Sequence, residues 1–158
     1  MRHLKKFNEA LEKDYEGEFT EESLNEIKDY CELNLAYLLD VGMNVDCSDV
    51  IDDRTNSHEC MVELSFDEYT LATTVLDQVI PFFKRIVNDY ELGNFYHYSG
   101  NNEDIFKFHT GDAIYHVSYD ELDKVEGMIM SKPSVQRNLN AGLNTSIYMV
   151  SFYIKDEK

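Results

Sequence analysis

The sequence predicts an α+β fold: a single domain over residues 1–158, with a mostly antiparallel sheet of about five to six strands packed with three to four helices. Three observations predict it. Segments with apolar residues every three or four positions are interleaved with segments of period two. Short strand-like runs at 94–99, 105–109 and 113–118 are separated by the turn signals Gly100-Asn101-Asn102 and Thr110-Gly111-Asp112, the pattern of an antiparallel meander. The run from Thr145 to Ile154 is apolar on both faces, as a central strand is.

Leu4, Phe7, Leu11 and Tyr15 share a helical face and predict a first helix ending near Gly17. Thr20 is placed to cap a second, with Glu21 and Glu22 in the first turn, where the helix dipole favours negative charge. Leu24, Ile27, Cys31, Leu35 and Leu38 form its buried stripe, and Gly42 its stop. A short strand from Val45 runs into an acidic loop, and His58, Cys60, Val62 and Leu64 form the apolar face of the next strand. Leu71, Val75, Val79, Phe83, Ile86 and Tyr90 give a further helical stripe, stopped at Gly93. Pro81 interrupts it, and we expect a new helix to begin just before that residue. Ser118 and Glu121 form a capping box for a short helix carrying Leu122, Val125 and Ile129.

Charge is the most uneven property of the chain. Residues 14–70 carry 17 acidic and 2 basic residues, a net of 17 − 2 = −15 out of a total of −17. A field of this sign repels nucleic acid and anionic membrane and attracts basic protein surfaces. No apolar run reaches the ~18 residues of a membrane span, and the basic start lacks the apolar stretch of a signal peptide. The expected setting is soluble and cytoplasmic.

Three groups of residues carry possible chemistry. His97-Tyr98-Ser99 and His116-Val117-Ser118 each place a histidine and a hydroxyl on one strand face. They are similar to the paired H-x-[ST] motifs of the 2H phosphoesterases, a resemblance that implies an acid–base pair, His97 and His116, supported by Ser99 and Ser118. The family separates its motifs much more widely, and basic charge is scarce here. Asp46, Asp49, Asp52 and Asp53 with Glu59 lack the glycine and the terminal glutamate of a calcium loop. Cys31, Cys47, Cys60 and His58 lack the tight spacing of a zinc site, and the three cysteines read as buried thiols. We therefore expect no cofactor and no metal.

The acids themselves form the leading candidate site. Glu22, Glu26, Asp29 and Glu32 recur at spacings of three and four, on one helix face, and Asp46, Asp49, Asp52 and Asp53 extend the charge. Tyr15, Tyr30 and Tyr37 stand among them as aromatic anchors. This predicts a non-catalytic interaction protein that blocks a basic, nucleic-acid-binding surface of another protein. The alternatives are a small phosphodiesterase or nucleotide-binding protein and a structural or assembly component.

The stretch from Phe19 to Cys31, the Leu38-Leu39-Asp40-Val41-Gly42 turn and the stretch from Ile80 to Tyr90 resemble small accessory proteins of tailed phages. The resemblance implies a phage protein acting on host machinery in the host cytoplasm, for instance against a defence system. It implies no site residues.

Overall fold

Alternating residues build a six-stranded antiparallel sheet, apolar on one face and mixed on the other, in the computed structural model of the chain. The structure describes residues 13–14, 18–52, 56–67, 70–93, 105–131 and 146–158. In chain order the elements are β1 (Lys13–Asp14), β2 (Glu18–Phe19), α1 (Glu21–Asn34), α2 (Ala36–Asp40), β3 (Asn44–Asp52), β4 (Ser57–Ser65) and α3 (Ala72–Asp89). There follow β5 (Tyr90–Gly93), β6 (Phe106–Thr110), β7 (Ile114–Val117), a 3₁₀ helix (Tyr119–Lys124), α4 (Val125–Met130) and β8 (Ile147–Glu157).

The sheet runs β3-β4-β8-β6-β7, with β5 also paired to β8. The strand expected to be central is central: β8 pairs with β4 on one side and with β6 and β5 on the other. β5 and β6 follow one another along the same edge of β8. Gly93 faces Tyr153, and Phe106 faces the adjoining Phe152.

The helices cover the apolar face. Ile27 and Cys31 of α1 and Val75, Val79, Phe83 and Ile86 of α3 are buried with Val62 and Leu64 of β4, Phe106 and Phe108 of β6 and Phe152 of β8. Phe83 stacks on Phe106 with ring centroids 4.0 Å apart and meets Phe108 and Phe152 edge-on. Each such ring contributes about 1.5–3 kcal/mol by leaving water, so α3 is the element that fastens the helical layer to the sheet.

Four expectations need correction. Lys13 and Asp14, expected within the first helix, instead pair with Phe19 and Glu18 as strands. Its residues 4–12 lie outside the described part, as do 94–99. The second helix breaks at Leu35 (φ −122, ψ 32), and the chain turns at Gly42, whose φ of 97 suits glycine. Pro81 does not start a helix: α3 is continuous through it. The proline ring is exposed while Val79, Phe82 and Phe83 on either side are fully buried, so packing overrides the missing N–H. Finally, α3 ends at Asp89, not at Gly93, because Tyr90 turns to extended backbone (φ −132, ψ 145) and joins β8 as β5.

Candidate functional site

The acids of α1 stand where the periodicity put them. Thr20 caps the helix, its hydroxyl accepting the Ser23 N–H at 3.1 Å. Ser23, Ile27, Tyr30 and Cys31 turn inward, which leaves Glu22 and Asp29 exposed and Glu26 and Glu32 half-buried along the outer side. Residues 18–52 contain one basic residue, Lys28, which lies 4.0 Å from Glu32. At this distance and exposure the pair contributes well under 1 kcal/mol, so Lys28 offsets little of the charge of α1. Within that face Leu33 is 62% exposed, and four residues on Tyr37 is 56% exposed. Tyr37 and Val41 also line a cavity of about 370 Å³ with Asp67, Thr70, Leu71 and Thr74.

The described β3 acids, Asp46 and Asp49, do not form one array with that face. The strand continues through Asp52, so the expected acidic loop is a strand here, and alternation sends its acids to different sides. Asp46, opposite Glu63, is exposed on the sheet face turned away from the helices. Asp49, opposite Cys60, turns toward the helical side. There its Oδ1 accepts the Phe19 N–H at 2.9 Å, and its Oδ2 accepts from His58 Nδ1 at 2.7 Å. Asp49 therefore ties β2 to the sheet, with both oxygens bonded inside the protein. Asp52 ends β3 opposite Ser57, and Asp53 lies outside the described residues.

Tyr30 is not an anchor either. It is buried, with its hydroxyl donating to Asp89 Oδ2 at 2.9 Å. Burial, then the bond to Asp89, pushes its pKa well above the ordinary phenol range. Among the described residues Tyr37 is the exposed one of these tyrosines, and Tyr15 lies outside them.

The histidine pair changes in a different way. His97 and Ser99 lie outside the described residues. His116 is exposed on β7, but β7 ends at Val117 and Ser118 is buried as the cap of the 3₁₀ helix. The Glu121 carboxylate takes the N–H and the hydroxyl of Ser118 at 3.3 and 3.2 Å. The capping box holds, and the same geometry removes Ser118 from the histidine's service. What adjoins His116 is Lys107, directly opposite on β6. His109, two residues along, shares that face and lies 3.3 Å from Ser151 Oγ through Nε2. Burial first, then the nearby Lys107 and His116, holds the His109 pKa below 6.5. Sequence reasoning passed over His109, although the alternation Phe106-Lys107-Phe108-His109 places it with Lys107 on one face opposite two buried rings.

The thiols of Cys31 and Cys60 are buried and that of Cys47 is partly so. The buried thiols of Cys31 and Cys60 have raised pKa values, the first through burial and the second through a hydrogen bond with Cys47 and burial. Among the described residues no group of three or more His, Cys, Asp or Glu is arranged to hold a metal ion. Among the same residues no helix is long and apolar enough to cross a membrane. No family model matches the chain, and neither a curated protein nor a solved structure does.

Proposed function

We propose that the protein is a non-catalytic interaction protein whose acidic α1 face blocks a basic, nucleic-acid-binding surface of another protein. The observation that carries the reading is the outer side of α1. Four carboxylates at helical spacing are accompanied by a single lysine, with exposed Leu33 and Tyr37 alongside. Carboxylates on a regular helix can occupy positions that nucleic-acid phosphates would take. An exposed leucine and tyrosine supply the apolar anchors that charge alone lacks. The setting we attach to it is the one its phage-like sequence stretches imply: a phage-encoded inhibitor of a host protein, for instance one of a defence system.

The test is capture of partners from bacterial lysate on the tagged protein, with elution by rising salt. The expected result is one basic nucleic-acid-binding protein released at high salt. The triple variant E22K/D29K/E32K, of unchanged fold, should lose it. Equal capture by the wild type and the triple variant would overturn the proposal.

A further inference from the structure

Exposed apolar surface gathers at one end of the helical layer. Tyr37, Val41 at 37% exposure and Leu71 at 40% line one cavity of about 370 Å³ together with Asp67, Thr70 and Thr74. The cavity lies in the notch between α2 and the start of α3, which pack against each other. The notch exists because the helical stripe breaks at Leu35 and the chain turns again at Gly42. The short α2 buries Leu38 and leaves Tyr37 turned outward.

Its walls are of two kinds. Tyr37, Val41 and Leu71 are apolar, and Asp67, Thr70 and Thr74 offer side-chain oxygens. Such a pair of surfaces suits a side chain with an apolar stem and a hydrogen-bond-donating head. The surrounding charge decides the sign of that head. Asp67 is exposed, as are Asp40, three residues from Tyr37, and Asp77, three residues from Thr74. Between Lys28 and Lys84 the sequence holds one lysine or arginine, Arg54, which lies outside the described residues. The N-terminus of α3 adds about half a positive charge, which three carboxylates outweigh. An anionic occupant is therefore disfavoured, and so is a second copy of a chain whose net charge is −17.

Resting on the α1 reading above, we propose that this notch receives an arginine side chain of the basic partner. The stem lies along Val41 and Leu71, the guanidinium plane faces the Tyr37 ring, and its N–H groups donate to Asp67. Arginine fits better than lysine, because its head is flat and presents paired donors to a carboxylate. The Asp67 carbonyl already accepts the Thr70 N–H at 2.9 Å, and a carboxylate has room for several donors. Arginine is also a side chain that nucleic-acid-binding surfaces present to phosphate, so the notch occupies a group such a partner needs.

The test follows backbone amide signals of ¹⁵N-labelled protein by NMR. The blocked tripeptide Gly-Arg-Gly, and separately its lysine and citrulline counterparts, are titrated in at constant ionic strength. The expected result is saturable movement of the Val41, Thr70, Leu71 and Thr74 signals with the arginine peptide. The lysine peptide should bind about tenfold more weakly. The citrulline peptide, which keeps the shape without the charge, should not saturate. Tyr37→Ala and Asp67→Asn, both at exposed positions, should each weaken arginine binding about tenfold, as for one lost contact. Unchanged signals elsewhere in the spectrum check their folding. Unmoved notch signals would overturn the proposal, as would equal affinity for the arginine and citrulline peptides, or wild-type affinity in both variants. Saturation by Gly-Glu-Gly in place of Gly-Arg-Gly would assign the notch to anions at the α3 N-terminus and overturn it too. The α1 reading is scored separately, by lysate capture with E22K/D29K/E32K, so each can fail alone.

Discussion

Both oxygens of Asp49 are engaged inside the protein, by the Phe19 amide and the His58 ring. Asp49→Ala should therefore destabilise the fold by about 2–3 kcal/mol, the range for partly buried bonds to a charged group. Glu22→Ala, at an exposed position, should stay within about 0.5 kcal/mol. Urea unfolding of the two variants checks the contrast. Counting acids along the chain could not separate these residues, because period two in β3 decides which way each one points. His109 gives a second prediction. Its folded pKa lies below the unfolded value of about 6.5, so the unfolded chain takes up the proton first as pH falls. Stability is then full above about pH 6.5 and declines below it toward the lowered folded pKa. His109→Gln should flatten that part of the stability profile measured by denaturant titration. At Gly93 an added Cβ would run into the buried Glu59 carboxylate. Gly93→Ala should be destabilising by about 1–3 kcal/mol, the range for overpacking.

Among the elements, α1 and α3 show what local pattern can and cannot reveal. The cap at Thr20 was readable because a hydroxyl placed just before an amphipathic stripe has one good use. Thr20→Ala should cost about 1 kcal/mol in the same unfolding assay. The break at Leu35 was not readable, since the apolar stripe passes through it without a glycine or proline to mark it. Pro81 misled in the opposite direction. Its local preference is for a helix start, but the buried residues on both sides hold a single helix. Pro81→Ala should restore the missing backbone bond to the exposed Asp77 turn and stabilise the protein by about 1–3 kcal/mol, less what the proline contributes by restricting the unfolded chain. A rise in thermal midpoint checks it. β5 was read as the end of a helix because Tyr90 fits the helical stripe, and it is buried in the strand as well. Burial alone does not distinguish the two.

For the whole molecule, the fold class and the central place of β8 followed from periodicity and from a strand apolar on both faces. The candidate sites followed less well, because a face is a property of several strands at once. Lys107, His116 and Ser151 are 9 to 44 positions apart in the chain and meet only through register. The charge distribution predicts how the molecule behaves in salt. Capture of a basic partner by α1 should weaken steeply as ionic strength screens the carboxylates, and reversal of three acids should flatten that dependence. One more consequence comes from the joint between β5 and β6. Gly93 and Phe106 face consecutive residues of β8, so the sheet is registered independently on both sides of the twelve residues between them, 94–105. Both ends of that connection are therefore anchored by one strand, and β8 sets the alignment of β5 and β6 together.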